Sequence, residues 1–287
     1  MRNLTETNLT DAVLAKLVGC QAARFKQIMS SLIRHLHAFV REVELTEAEW
    51  FDGIKFLTAT GQMCNDKRQE YILLSDTLGV SMLVDAINHR KPAGATETTV
   101  FGPFHVDGAP LLENGASIAG NAKGEPAFAS GYVLTADGKP IVGAELDVWQ
   151  VDGEGFYDVQ RADVDGMRLR GKFRTDTQGR YHFRTLKPVS YPIPTDGPVG
   201  KMLLKMGRHP YRPAHIHMIV SAPGFESVTT HLFVEGDSYL DSDAVFAVKN
   251  SLVVEFKQHG PGPSPDGSIL DSGFWTVEYD FRLVAAS

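Results

Sequence analysis

Two histidines separated by one residue are the clearest candidates for metal chemistry in the sequence. The segment RHPYRPAHIH, residues 208–217, ends in His215 and His217. Alternate residues of a β-strand share a face, so both imidazoles project together if this segment is a strand. Two imidazoles placed in this way can bind one metal ion. The pattern also fits an ordinary strand with two half-buried histidines, and spacing alone leaves both interpretations open.

The remaining ligands determine which metal such a site selects. Glu235 and Asp237 follow the next predicted strand, and two histidines with one carboxylate are typical of Fe(II) or zinc sites. Tyr157 and Tyr191 lie in glycine- and proline-rich segments, EGFYD and VSYPIPTDGP. A phenolate is a hard, anionic oxygen donor that favours a hard, highly charged ion such as Fe(III). The residues alone leave the carboxylate site, the phenolate site and purely structural tyrosines open.

The elements that position these residues change in character near residue 90. Before it, apolar residues recur at three- and four-residue spacings, which predicts helices at residues 9–18, 22–43, 50–62 and 69–88. After it, glycine, proline and threonine are frequent and the apolar period falls toward two, which predicts many short strands. We therefore predict a mainly β fold with a helical part at residues 1–95 and a β-sandwich at residues 96–287.

Two β-hairpins are predicted within the β part. The first covers residues 131–150 around the turn Asp137-Gly138, and the second covers residues 172–186 around Gln178-Gly179. In the second strand of the first hairpin, Leu146 and Val148 would face one side of the sheet.

The composition argues against several classes of function. The chain has 287 residues and a formal net charge of −7, which argues against nucleic acid as a main partner. Its two cysteines, Cys20 and Cys64, are too few for a disulfide framework or a thiolate zinc cluster. No apolar run reaches the roughly 18 residues of a membrane helix, and no signal peptide is recognisable. We therefore expect a soluble, cytoplasmic protein.

Several long motifs occur together in one order, and this combination resembles the intradiol ring-cleavage dioxygenases of the catechol 1,2-dioxygenase group. The motifs are TVFGPFH at 99–105, ELDVWQ at 145–150, FYD at 156–158, VSYPIPTDGP at 189–198, RPAHIH at 212–217 and GDSYLDSDAVFAVK at 236–249. The chain is most similar to the hydroxyquinol 1,2-dioxygenases of this family. The resemblance covers nearly the whole chain. It implies a β-sandwich catalytic core preceded by an α-helical N-terminal dimerisation domain.

The resemblance implies one non-haem Fe(III) per subunit, held by Tyr157, Tyr191, His215 and His217. Tyr191 would also be catalytic, because it leaves the iron and takes up a substrate proton when the diol binds. The resemblance also implies a hydroxide or water as fifth ligand; the hydroxide would take up the second proton, so no separate general base is required.

The resemblance also implies roles for Arg212 and His231. Arg212 would lie beside the substrate ring and stabilise the negative charge that develops on the carbon attacked by O2. His231, in the segment VTTHLF, stands where catechol dioxygenases tend to have glutamine. We expect it to lie behind the ligands, near the iron.

The implied substrate pocket draws residues from four parts of the chain. They are Leu73, Asp76, Val100, Phe101, Gly102, Pro103, Phe104, Ile193, Pro194 and Arg212. A carboxylate at Asp76 can accept a hydrogen bond from a third substrate hydroxyl, and such pairing discriminates more strongly than apolar shape. We therefore expect hydroxyquinol (1,2,4-trihydroxybenzene) to be cleaved by O2 to 3-hydroxy-cis,cis-muconate, the tautomer of maleylacetate, in aromatic catabolism.

The resemblance further implies a homodimer and a phospholipid or fatty acid in a tunnel at its interface. Catechol or chlorocatechol 1,2-dioxygenase activity is the alternative within the family. A zinc or Fe(II) enzyme that uses Glu235 is the alternative of another enzyme class. A non-catalytic β-sandwich binding module, with structural histidines, is the alternative outside the enzymes.

Overall fold

The chain begins with helices and continues with strands, as the change in apolar periodicity predicts. A computed structural model describes residues 2–65 and 68–286. The chain divides into two compact units, Met1–Ala59 and Thr60–Ser287. The predicted mainly β fold with an N-terminal helical part is confirmed. The domain boundary at residue 95 stays a prediction.

Five α-helices precede the first strand in the described part of the chain, and a sixth lies among the strands. They are α1 (Leu9–Ala15), α2 (Ala23–Glu42), α3 (Glu47–Gln62), α4 (Glu70–Thr77), α5 (Val80–Asn88) and α6 (Pro198–Lys205). Within residues 2–65 and 68–286, none of these helices combines the length and apolar character needed to cross a membrane.

The single helix predicted for residues 69–88 is wrong. Gly79 has a φ of 74°, so the backbone is left-handed between α4 and α5. A residue in this conformation ends a right-handed helix, and glycine adopts it without the steric cost of a Cβ. The break leaves α4 as a short helix that carries the buried residues Leu73 and Asp76.

Fourteen strands follow in the described residues, and most of them are short. They are β1 (Pro126–Thr135), β2 (Glu145–Trp149), β3 (Arg170–Arg174), β4 (Arg180–Leu186), β5 (Tyr191–Pro192), β6 (Tyr211–Arg212), β7 (His215–Ser221), β8 (Val228–Val234), β9 (Val253–Val254), β10 (Lys257–His259), β11 (Gly262–Pro263), β12 (Ile269–Leu270), β13 (Phe274–Glu278) and β14 (Phe281–Leu283). One five-stranded sheet has the order β3-β2-β7-β8-β9. A second has the order β10-β13-β1-β14, with β4 also paired to β1.

The two large sheets share one apolar core, which makes the arrangement a β-sandwich. Buried side chains from both sheets form this core, among them Leu146, Phe173, Ile216, Val133, Phe183 and Phe281. Because side chains alternate along a strand, the opposite face of β7 is turned away from this core. That outer face carries the candidate metal-binding histidines.

Neither predicted hairpin pairs its two strands with each other, although a short antiparallel bridge between Leu134 and Pro140 closes the turn at Asp137-Gly138. β1 pairs with β4 in one sheet, whereas β2 pairs with β3 and β7 in the other. The turns at Gly138 and Gly179 therefore carry the chain from one sheet to the other. A glycine-containing turn reverses the chain direction, but the burial of apolar faces between two sheets decides which strands pair.

Truncation of a core side chain should destabilise the sandwich strongly. Leu146 is fully buried on β2, and Leu146→Ala should lower the free energy of unfolding by about 2–5 kcal/mol because a cavity remains. Val142→Ala, at a residue that is 60% exposed, is the matched control. It should change the free energy of unfolding by less than about 0.5 kcal/mol. Urea unfolding followed by tryptophan fluorescence measures both, and equal effects would contradict the assignment of Leu146 to the core.

Candidate metal centre

The alternation predicted for His215 and His217 is present on strand β7. Ile216, between them, is fully buried in the sandwich core, so both imidazoles lie on the opposite face of the sheet. Strand pairing places His217 beside Trp149 on β2 and beside His231 on β8. The two histidines are therefore held by a continuous sheet rather than by a loop.

Two loop tyrosines complete a group of four converging side chains. Tyr157 Oη lies 2.8 Å from Tyr191 Oη and 2.9 Å from His217 Nε2. Tyr191 Oη lies 3.4 Å from His215 Nε2, and the two Nε2 atoms are 3.1 Å apart. The four side chains that the sequence singles out as metal ligands thus direct one donor atom each to a common point.

The spacing and burial of these donor atoms fit a single metal ion. Ligand atoms that bind one ion at about 2.0–2.2 Å lie about 3 Å from each other. The observed separations of 2.8–3.4 Å match that spacing. All four residues are at most 4% exposed, so the group is closed to bulk water. The cluster can therefore hold a metal ion.

The hydrogen bond between His215 Nδ1 and Pro213 determines which nitrogen of His215 faces the other donors. Its Nδ1 lies 2.7 Å from the carbonyl oxygen of Pro213, which can only accept a hydrogen bond. Nδ1 therefore carries the proton, and Nε2 presents its lone pair to the other three donor atoms. His217 is held differently, because the ring of Trp149 stacks on it at 4.6 Å between centroids.

Burial keeps all four groups neutral when no cation is present. Burial raises the pKa of Tyr157 well above its ordinary value, and the neighbouring Tyr191 raises it further. Burial also raises the pKa of Tyr191, although Arg212 opposes this effect. The pKa values of His215 and His217 are far below the ordinary value, again chiefly because of burial. Phenolates at this point therefore require a compensating positive charge such as a metal ion.

Arg212 is a buried cation beside the four donors. Its Nη1 lies 3.1 Å from His215 Nε2, and its Nε donates to Asp243 Oδ1 at 3.1 Å. Burial alone would lower the pKa of Arg212, but the Asp243 carboxylate, together with Tyr191 and Tyr157, more than offsets this, so the guanidinium stays charged. Asp243 lies within a motif noted in the sequence, yet no spacing signal pairs it with an arginine 31 positions away.

A single carboxylate anchors the two segments that carry Tyr191 and His215. Asp237 Oδ2 accepts a hydrogen bond from the Ser190 hydroxyl and another, at 3.0 Å, from the Ala214 backbone N–H. Asp237 therefore holds backbone in place, and Glu235 is exposed. In the described residues, the cluster of potential histidine, cysteine and carboxylate ligands contains only histidines.

A small enclosed cavity lies beside the four donors. Most of the predicted substrate-contacting residues line it, together with Tyr191 and His217: Leu73, Asp76, Val100, Gly102, Pro103, Phe104, Ile193, Pro194 and Arg212. Phe101 is the exception, since its side chain is 48% exposed and packs against His105 and Trp149 instead. Val245 lines the cavity but is not among the predicted residues, because an isolated valine carries no chemical signal in a sequence.

The loop around Gly102 approaches the site too closely for a larger residue. Gly102 has a φ of 76°, and a Cβ placed on it would lie 3.1 Å from His217 Cε1. Glycine is therefore required both by the backbone conformation and by the contact with the imidazole. This contact fixes one wall of the cavity against a candidate ligand.

His231 adds a third buried imidazole to the site. Its ring centroid lies 4.1 Å from that of His217 and 4.7 Å from that of His215. Its Nδ1 contacts the hydroxyl of Thr99, whereas its Nε2 is buried and has no hydrogen-bond partner among the described residues. Burial lowers the pKa of His231 well below its ordinary value, so the ring is neutral. Sequence reasoning placed His231 near the ligands but did not find Thr99.

Known proteins share this architecture over the whole chain. Family models described as "Dioxygenase" and "Catechol dioxygenase N terminus" match residues 100–285 and 22–96. A 6-chlorohydroxyquinol 1,2-dioxygenase of Cupriavidus pinatubonensis is 55% identical, over 99% of both sequences.

Solved structures also match the chain over nearly its full length. The hydroxyquinol 1,2-dioxygenase of Pseudomonas putida DLL-E4 superposes with a TM-score of 0.91 at 51% identity, over 98% of this chain and 99% of its own. The catechol 1,2-dioxygenase of Pseudomonas arvilla C-1 superposes with a TM-score of 0.85 at 29% identity, over 97% and 91%. The chain therefore belongs to the intradiol ring-cleavage dioxygenases of the catechol 1,2-dioxygenase group.

Proposed function

We propose that the chain cleaves hydroxyquinol between its two adjacent hydroxyls with O2 and yields 3-hydroxy-cis,cis-muconate, the tautomer of maleylacetate. The observation that carries this substrate is the position of Asp76, a carboxylate only 3% exposed that lines the same cavity as Tyr191, Arg212 and His217. The names of the relatives at 55% and 51% identity support the same substrate class. The reaction belongs to the catabolism of aromatic compounds.

We infer that the cavity works with one Fe(III) per subunit, held by Tyr157, Tyr191, His215 and His217. Two anionic phenolate oxygens favour a hard trivalent ion over zinc or Fe(II). The absence of a carboxylate from the described histidine cluster argues against the site with Glu235. When bound, the iron supplies a Lewis acid that lowers the pKa of the substrate hydroxyls and accepts electron density from the diol.

Tyr191 is the proton acceptor in this proposal. Its Oη lies at the cavity wall and burial raises its pKa, so a phenolate there readily takes a proton from a substrate hydroxyl. The phenolate thus takes up one of the two diol protons within the buried cavity.

Arg212 supplies fixed positive charge beside the ring. Asp243 holds its guanidinium, and burial strengthens its interaction with negative charge that develops on the substrate. The group is oriented before the substrate arrives, so no reorganisation is required during the reaction.

Asp76 selects the third hydroxyl. Its pKa is raised, chiefly by burial, although a hydrogen bond from Ser81 opposes this effect. A buried carboxylate that lines the cavity favours a substrate that donates a hydrogen bond to it. Catechol has no such donor, and it therefore stays the alternative substrate rather than the first choice.

The expected homodimer and interfacial lipid stay proposals. Helix α2 carries a row of large apolar side chains that are exposed, which supports a covered surface there: Phe25, Ile28, Leu32, Leu36 and Phe39. The N-terminal family match at residues 22–96 includes this helix and supports a dimerisation domain at residues 1–95. The expected cytoplasmic location likewise stays a prediction.

The decisive experiment adds hydroxyquinol anaerobically to the purified protein and then admits O2. We expect a visible Fe(III)–tyrosinate band that shifts on substrate binding, followed by one equivalent of 3-hydroxy-cis,cis-muconate or maleylacetate per O2 consumed. Catechol under the same conditions is the control for substrate choice. A colourless, iron-free preparation that remained active would contradict the Fe(III) assignment, and faster turnover of catechol would contradict hydroxyquinol.

Removal of either phenol oxygen should abolish the metal site. We expect Tyr157→Phe and Tyr191→Phe each to lower iron affinity at least about 100-fold and to bleach or shift the visible band, because an anionic ligand is lost. Tyr132→Phe, at an exposed tyrosine of β1, is the matched control and should leave the iron affinity and the visible band unchanged. Iron content measured against the visible spectrum checks this, and full iron content with an unaltered band in both variants would refute the ligand assignment.

Replacement of Asp76 should relax the preference for three hydroxyls. For Asp76→Asn, we expect the ratio of kcat/KM for hydroxyquinol to that for catechol to fall about tenfold or more. In the wild type the same ratio should decline as pH falls through the raised pKa of Asp76, because protonation removes the anionic acceptor, and it should not do so in the variant. Asp85→Asn, at another buried helical aspartate, is the control. An unchanged ratio in Asp76→Asn would exclude this role.

A further inference from the structure

His231 has an unpaired nitrogen that neither the metal ligands nor the proposed substrate contacts explain. The residue is 0% exposed and lies opposite His217 in the pairing of β7 with β8. Its Nδ1 contacts the Thr99 hydroxyl, and its Nε2 is buried without a partner in the described chain. An unpaired polar atom at such a position costs folding free energy, so its retention calls for a binding role.

The contact with Thr99 determines which nitrogen of His231 carries a proton. Among the residues that the structure describes, His231 Nδ1 is the only hydrogen-bonding partner of the Thr99 hydroxyl. If that hydroxyl donates, Nδ1 accepts and the proton of the neutral ring is on Nε2. A doubly protonated ring also carries a proton on Nε2. Only the remaining tautomer would leave Nε2 bare, and it would leave the buried Thr99 hydroxyl without an acceptor.

The His231 ring lies next to the metal centre, but its protonated Nε2 is not available as a ligand. One ring nitrogen each of His215, His217 and His231 lies within 4.8 Å of the others. A protonated nitrogen has no lone pair to bind a metal ion. His231 is therefore a hydrogen-bond donor beside the point at which the four donor atoms converge.

We propose that His231 Nε2–H donates a hydrogen bond to an oxygen of the substrate diol bound at this centre, and that Thr99 is the positioning residue that fixes the tautomer. The inference rests on the proposed function. The Nε2–H group of His231 adds a hydrogen-bond donor on the β8 side of the site. Arg212, which reaches the same centre from β6, is held by Asp243 instead.

The experiment compares four variants of the iron-loaded full-length protein. His231→Leu removes the donor, and His231→Gln retains an N–H donor of similar reach. Thr99→Val removes the hydroxyl that fixes the tautomer. Thr98→Val is the matched control, because the neighbouring Thr98 hydroxyl is also buried but has no hydrogen-bond partner in the described chain. Anaerobic titration with catechol, followed by the visible band, gives the dissociation constant, and iron content and thermal midpoint are measured in parallel.

Catechol is the probe because it lacks the third hydroxyl, so its binding is independent of Asp76. We expect His231→Leu to weaken catechol binding about 10- to 100-fold, the effect of one lost hydrogen bond to an anionic oxygen. The dissociation constant of His231→Gln for catechol should stay within about threefold of the wild-type value. That of Thr99→Val should lie between the values of the two His231 variants, and that of Thr98→Val should equal the wild-type value. Iron content should be full in all four variants.

Three results would overturn the proposal. Unchanged catechol binding in His231→Leu would remove the donor role. Equal weakening in His231→Leu and His231→Gln would indicate packing alone. Loss of iron from His231→Leu would indicate that the residue holds the metal site rather than the diol. A wild-type protein that shows no visible band and binds no catechol would instead refute the proposed function, and this inference with it.

Discussion

The structure depends on keeping four ionisable side chains together in a place that water does not reach. Two imidazoles and two phenols converge, with each donor atom 2.8–3.4 Å from two of the others, and burial drives each group toward its neutral form. Such a group is costly in an apolar interior unless a cation binds to it. The histidines lie on the outer face of a sheet, so the main apolar core is undisturbed.

Several polar groups around the four donors are held by hydrogen bonds or ion pairs. Asp243 holds Arg212, Asp237 holds two backbone segments, and Pro213 fixes the tautomer of His215. Each charge near the centre therefore has a partner before any ligand binds, which is the arrangement expected of a preorganised site. His231 differs, because its buried Nε2 has no hydrogen-bond partner among the described residues.

Local signals in the sequence predicted the parts of this site that depend on local geometry. The alternation of His215, Ile216 and His217 correctly placed both imidazoles on one face, because side-chain direction follows from strand periodicity alone. The two hairpins and the helix through Gly79 were wrong, because pairing and helix breaks depend on burial and on a single φ angle. The contacts of Thr99 with His231 and of Arg212 with Asp243 join distant segments, and one sequence carries no spacing signal for them.

The two hydrogen bonds that Asp237 accepts have a consequence for the motion of Tyr191. One oxygen of Asp237 binds the residue before Tyr191 and the residue before His215, so the two backbone segments are tied to one point. If the phenol swings away when a diol arrives, the loop cannot travel with it, and the movement is confined to rotation about the side-chain torsions. Such rotations need no unfolding of the loop and reverse without a slow backbone step. The phenol of Tyr191 can thus reorient while its backbone stays in place.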